Sequence, residues 1–229
     1  MAAFRVIGQR LPRFEDRRFL TGQGRYLDDL QMPRALTAHF LRSPHAHARI
    51  LSIDTGPALA LAGVRAVYTG VEINEFVQPL RMAPAIDGVK PTTIAAMPTD
   101  KVRFQGDPVA CILAEDRYIA EDAAELITVE YEPLEAVASF ETALAQGAAR
   151  VDDTLDSNLV SHQSFATAGI ARAFAQADRI VERRFHQARL THAPVETRGC
   201  IAIWDAGREH LTMHVGTQVP ASSPAASVP

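Results

Sequence analysis

Cysteine is scarce. The 229 residues contain 2, Cys111 and Cys200, too few for a disulfide framework or a thiolate zinc site. Both sit in apolar runs, at 109–113 and 200–203, which predicts buried, reduced thiols. A basic surplus is missing too: 23 Lys+Arg stand against 27 Asp+Glu, a formal net charge of -4. That balance excludes a general nucleic-acid binder and falls well short of an acidic disordered chain. No apolar stretch reaches the roughly 18–20 residues of a membrane helix. Arg5, Arg10 and Arg13 interrupt the N-terminus before a signal-peptide core can form. Asp16-Arg17-Arg18-Phe19-Leu20 has the form of a twin-arginine export signal, but polar residues follow where export needs an apolar run. The expected location is therefore cytoplasmic, with no membrane and no nucleic acid as partner. Glycine pairs are confined to Gly22-Gln23-Gly24, which lacks the third glycine and preceding strand of a dinucleotide fingerprint.

What is present is an ordinary globular composition, 47% hydrophobic, in a chain long enough for one large domain or two smaller ones. Residues 36–41 and 48–53 read as strands. Asp54-Thr55-Gly56-Pro57 starts a short helix that stops at Gly63, and 64–68 is β-branched and aromatic, completing a strand–helix–strand unit. Pro79, Pro84, Pro91 and Pro98 punctuate 70–99, which reads as a long surface loop. A second strand–helix–strand unit follows: a strand at 109–113, a helix at 117–127 and a strand from 128 ended by Pro133. In that helix Ala120, Ala123, Ala124 and Ile127 share one face. Together the two units make an α+β domain ending near 145. Beyond a polar loop at 147–158, residues 161–166 look strand-like. A helical period begins at Ile170 with Thr167 as N-cap, and 179–185 alternates. A hairpin is predicted at 200–205 and 211–215, with its turn at 206–209 and Leu211, Met213 and Val215 on one face. The last nine residues are low in complexity.

Few residue groups suggest chemistry. His45-Ala46-His47 offers two imidazoles to a metal, against the alternative of a polar strand entry. Ser43 and His45 are too close in sequence for catalytic geometry without a nucleophile elbow. Glu115-Asp116 and Glu121-Asp122 flank an amphipathic helix, where solvated caps and surface charge explain them. Glu196 is either a buried carboxylate paired to Arg198 or a surface pair. Gln218 follows the hairpin at a Gly216-Thr217 bend, from which its amide would point into a cleft. These residues alone describe an acidic, soluble α+β protein with no catalytic constellation.

Several segments in order, however, resemble a known family. Residues 18–29, Arg-Phe-Leu-Thr-Gly-Gln-Gly-Arg-Tyr-Leu-Asp-Asp, are similar to the opening of the molybdopterin-binding large subunit of the xanthine dehydrogenase, aldehyde oxidase and aerobic carbon-monoxide dehydrogenase family. Arg42-Ser43-Pro44-His45-Ala46-His47-Ala48-Arg49-Ile50 resembles its next signature. Gly106-Asp107-Pro108-Val109-Ala110, Ala114-Glu115-Asp116-Arg117-Tyr118, 120–125 and 129–134 follow in family order. More loosely, His192-Ala193-Pro194-Val195-Glu196-Thr197-Arg198-Gly199 resembles a Met-Glu-Pro-Arg-Gly stretch, with Val195 and Thr197 as departures. Gly216-Thr217-Gln218-Val219-Pro220 resembles the segment whose glutamine approaches the molybdenum.

The resemblance implies an N-terminal leader at 1–19, an α/β-hammerhead domain at 20–145, the incomplete start of a molybdopterin-binding domain at 146–220, and a tail at 221–229. It gives Gln218 a cofactor contact and Glu196 a structural place near the same pocket, with no catalytic residue and no metal ligand of the chain's own. The implied cofactor is a molybdopterin-type molybdenum cofactor, bound only in the complete assembly, with iron–sulfur centres and FAD on partner subunits or domains. The implied partners are the remaining molybdopterin-domain chain if the subunit is split, an iron–sulfur subunit and an FAD subunit. The family's base, a C-terminal glutamate in a Gly-Val-Gly-Glu context, has no match, so the expected function is one portion of a molybdenum hydroxylase, inactive alone. The alternatives are a non-catalytic hammerhead assembly or interaction module, an inactive truncated homologue, and an unrelated small-molecule enzyme.

Overall fold

The computed structural model describes residues 10–82 and 86–217. Its first elements are α1 (Asp16–Leu20), a 3-10 turn (Leu27–Asp29), β1 (Thr37–Arg42), β2 (Ala48–Asp54), α2 (Gly56–Leu59), β3 (Val64–Thr69) and α3 (Gly70–Phe76). Then come β4 (Leu80–Met82), β5 (Thr92–Ile94), β6 (Lys101–Val102), β7 (Pro108–Ala114), α4 (Arg117–Glu125) and β8 (Thr128–Pro133). The last are α5 (Phe140–Ala143), α6 (Ile170–Ala175), β9 (Cys200–Asp205) and β10 (His210–Val215). The chain divides into two compact units, one of Arg34–Val181 and one of the described residues before 34 and after 181.

In the larger unit both strand–helix–strand patterns form, but they interleave. One antiparallel sheet has the order β1–β7–β3 and a second has β6–β2–β8. Each pattern therefore contributes one strand to each sheet: β2 and β3 around α2, β7 and β8 around α4. The core lies where α4 meets β7. Asp116 starts the helix by accepting the Ile119 N–H at 2.9 Å. Its small face, Ala120, Ala123 and Ala124, is buried with Ala58, Ala110, Ile112 and Ala114. Alanine on that face lets the helix axis approach the sheet closely. Gly63, at φ +90°, turns the chain into β3, and a Cβ there would come within 2.7 Å of Ile119 Cδ1. The position disfavours a side chain for two separate reasons, the left-handed backbone and the neighbouring Ile119.

Residues 70–99 are not the plain loop expected. Thr69 and Glu72 form a capping box that starts α3, with the Thr69 N–H donating to Glu72 Oε2 at 2.8 Å. Asn74 Nδ2 then donates to the Met97 carbonyl at 2.9 Å, fixing the far side of the excursion. The prolines limit β4 and β5 to three residues each. The strand expected at 161–166 reduces to a single bridge, Val89–Ser161, because those residues are mostly polar and exposed and present no face to bury. The helix at Ile170 is capped by Gly169 at φ +83° rather than by Thr167, and it runs only to Ala175. The alternating 179–185 segment is exposed and forms no strand: its apolar side chains meet no sheet edge among the described residues.

The smaller unit holds α1, the 3-10 turn and the β9–β10 hairpin. The hairpin forms in the register from His210–Asp205 to Val215–Cys200. Asp205 Oδ1 accepts the Gly207 N–H at 3.0 Å and the Arg208 N–H at 3.2 Å, which closes the turn. Of the face expected at Leu211, Met213 and Val215 only Leu211 is half-buried; Trp204, Met213 and Val215 are each about half exposed. For the same reason Cys200 is exposed, contrary to expectation, because no layer among the described residues covers the strand that carries it; Cys111, inside β7, is buried as expected. Both thiols are free. Burial pushes the Cys111 thiol above its ordinary pKa.

Candidate functional site

The smaller unit contains an open cleft of about 510 Å³. Three stretches far apart in sequence line it: Arg25 to Leu30 from the N-terminal motif, Glu196, and 213–217 at the end of β10. Local chemistry places each of them. The Tyr26 N–H donates to Asp29 Oδ2 at 2.8 Å, which folds the 3-10 turn upon itself. The hairpin register pairs Val215 with Cys200, so Gly216 leaves the strand level with Gly199 and close to Glu196. Glu196 Oε1 accepts the Leu27 N–H at 2.8 Å across 169 residues of sequence. Its other oxygen lies 3.5 Å from the point where a Cβ on Gly216 would sit.

Glu196 is thus half-buried and bound to backbone. Among the described residues no ion pair joins it to Arg198, the partner weighed from the sequence. Gln218 lies outside the described residues, which end one position before it. Sequence reasoning missed Leu27 and Arg25 as neighbours of Glu196. No local pattern reports a contact between a turn near the start of the chain and a loop near its end.

The histidine motif sits in the larger unit and is structural there. His47 is buried, and its Nδ1–H donates to the Glu135 carbonyl at 2.6 Å. The His45 ring packs edge-on against Tyr131, with centroids 4.9 Å apart. Ser43 is buried and closes its own turn, its Oγ donating to the His45 carbonyl at 3.1 Å and accepting the His45 N–H at 3.0 Å. Asp107 is buried beside it. Desolvation raises its carboxyl above the ordinary range, although the Arg103 N–H donates to it at 3.1 Å. Glu115 pairs with Arg65 on the surface and Asp116 caps α4, the roles their spacing suggested. Among the described residues no group of three or more His, Cys, Asp or Glu side chains is placed to hold a metal ion, and no helix is long and apolar enough to cross a membrane.

Comparison with known proteins covers both units. Residues 21–135 match the family model described as aldehyde oxidase and xanthine dehydrogenase, a/b hammerhead domain. Residues 151–226 match that of the molybdopterin cofactor-binding domain. The nicotine 6-hydroxylase large subunit of Paenarthrobacter nicotinovorans is 36% identical over 94% of this chain and 26% of its own length. The carbon monoxide dehydrogenase large chain of Afipia carboxidovorans is 34% identical over 93% of this chain and 27% of its own. Among solved structures, quinoline 2-oxidoreductase from Pseudomonas putida 86 superposes with a TM-score of 0.85 at 42% identity, covering 92% of this chain and 27% of that one. The chain spans about a quarter of the length of these relatives.

Proposed function

Because the chain belongs to the aldehyde oxidase and xanthine dehydrogenase family, as a hammerhead domain followed by part of a molybdopterin-binding domain, we propose that it supplies the scaffold and one wall of the cofactor pocket in a molybdenum hydroxylase. The observation that carries this reading is convergence. Three stretches that resemble the family separately, at 18–29, 192–199 and 216–220, line one cleft in the described part. The cleft's chemistry fits one edge of an anionic organic cofactor. Arg25 offers a cation, and Leu27, Leu30, Met213 and Val215 an apolar lining. When bound, the cofactor supplies the redox chemistry, and the protein supplies binding and orientation.

Within that reading Gln218 contributes a cofactor contact, and Glu196 is a structural member of the pocket. The hammerhead domain and the molybdopterin-binding region divide near the polar loop around 146. Iron–sulfur and FAD partners carry electrons away. The exposed hairpin, with Ile203, Trp204, Met213 and Val215 uncovered, is where the rest of the molybdopterin-binding domain packs. With no Gly-Val-Gly-Glu in the sequence, the chain alone does not turn over.

The test is metal analysis of the purified chain, alone and after co-expression with the remaining large-subunit sequence of a close relative. The expected result is molybdenum well below one atom per chain alone, rising towards one in the complex. Gln218→Ala in that complex should slow turnover while leaving the complex assembled. One molybdenum per isolated chain, with turnover of a heteroaromatic substrate, would overturn the division of labour proposed here.

A further inference from the structure

The turn at Leu27–Asp29 has two leading backbone donors that need acceptors. Asp29 satisfies the Tyr26 N–H locally, at 2.8 Å. The Leu27 N–H has a distant acceptor instead, Glu196 Oε1, also at 2.8 Å. Two further contacts converge on the same pair. A Cβ on Gly199 would meet Leu27 Cδ1 at 3.3 Å, so the glycine lets the Leu27 side chain lie close to the loop that bears Glu196. Gly216 presents its bare backbone to the other carboxylate oxygen, at 3.5 Å from a would-be Cβ. One side chain thereby hydrogen-bonds the turn and lies beside the exit from β10.

We infer that Glu196 is the positioning residue of the cleft: its carboxylate holds the Leu27 turn beside the Gly216–Thr217 exit from β10 and so fixes the two lining segments against each other. The inference rests on the reading of the cleft as a cofactor wall, which it deepens by naming what holds that wall together. A carboxylate suits the task because a bond from a backbone N–H to a charged acceptor is about twice as strong as a neutral one. The arrangement also explains why two separated glycines flank the residue. A side chain at 199 would press on Leu27, and one at 216 would cover the second oxygen and deprive it of water.

Amide hydrogen exchange on the full chain tests this without any cofactor. In Glu196→Ala the Leu27 amide should exchange about ten- to a hundredfold faster, the loss of one charge-assisted hydrogen bond. Amides at 213–217 should accelerate with it, while 109–114 in β7 stay unchanged. Glu196→Gln keeps an acceptor at the same place and should restore most of the protection. Unchanged exchange at 213–217 in the alanine variant, or a glutamine variant as fast as alanine, would overturn the inference. Should Glu196→Ala loosen β7 as well, Gly199→Ala decides instead: its methyl presses on Leu27 alone, and the same two segments must accelerate together. Failure of these exchange results leaves the cofactor reading standing, and failure of molybdenum uptake in the complex leaves the positioning role standing.

Discussion

Replacing Asp153 by alanine should destabilise the 34–181 unit by about 2 kcal/mol, a magnitude that follows from how unequally its ion pair is buried. The Lys101 side chain is 3% exposed and reaches Asp153 Oδ2 at 2.6 Å, while the Asp153 side chain is 60% exposed. Breaking a fully buried pair leaves a charge uncompensated and costs about 3–5 kcal/mol, whereas an exposed pair contributes about 0–1. Here the cation is the buried partner and water reaches the anion, which places the loss between those limits. Lys101→Met should cost under about 1 kcal/mol, because it removes the charge together with its desolvation and keeps the buried stem. The double variant should match Lys101→Met. In a chain of this size about 2 kcal/mol lowers Tm by roughly 4–8 °C.

The two cysteines supply the assay. Cys200 is exposed and reacts with a thiol reagent at once, while Cys111 is buried in β7 and reacts only when the larger unit opens. Its labelling rate in urea therefore reports that unit alone. The pH dependence has a definite sign. The hydrogen bond from Lys101, assisted by its charge, holds the Asp153 carboxyl below its ordinary 3.8. A carboxyl lowered in the folded state contributes stability above its unfolded pKa and loses it as pH falls through the folded value. The gap between wild type and Asp153→Ala should be full near neutrality and close below about pH 4. Asp152 and Asp156, lowered by hydrogen bonds from Thr154 and Lys90, lose their ties in the same acid range. An alanine variant within about 0.5 kcal/mol of wild type at neutral pH, or a methionine variant worse than it, would refute the reasoning.

Gly63→Ala should cost about 1–3 kcal/mol in the same labelling assay, since the added methyl meets Ile119 and the backbone is left-handed; an effect below about 0.5 would mean that α4 shifts freely. Trypsin should cut first at Arg179, Arg183 or Arg189, which lie in exposed chain outside helix and strand. The surviving fragment should contain β1 through β8, and early cleavage within 109–131 would contradict the core placed at β7 and α4.

What was legible in the sequence was local. The alanine face of α4 and the Asp205–Arg208 turn depend on residues a few positions apart, so their periods and turn chemistry could be read directly. Segment 70–99 misled because its prolines mask a seven-residue helix whose start is encoded in Thr69 and Glu72 alone. Segment 179–185 misled in the opposite sense. Its alternation is genuine, but alternation makes a strand only where a sheet edge accepts its hydrogen bonds. The interleaving of the two sheets was invisible, because a strand–helix–strand pattern is the same whether its strands share a sheet or not.

The cleft lies at the far end of that scale. Its central hydrogen bond spans 169 residues, and neither Leu27 nor Glu196 carries a local signal of it; Glu196 stood out in the sequence, but with Arg198 as its candidate partner. The hairpin beside it forms by local pairing, yet two-stranded sheets are marginal in isolation, and this one leaves much of its apolar surface exposed. On the proposed reading, the chain that covers the hairpin also completes the pocket, so cover and cofactor act on the same strand end. Before that cover is in place, residues 213–217 need a tether that does not depend on it. Glu196 provides one from within the unit, through the Leu27 turn, and this explains why a charged side chain stands in a loop otherwise exposed along its length.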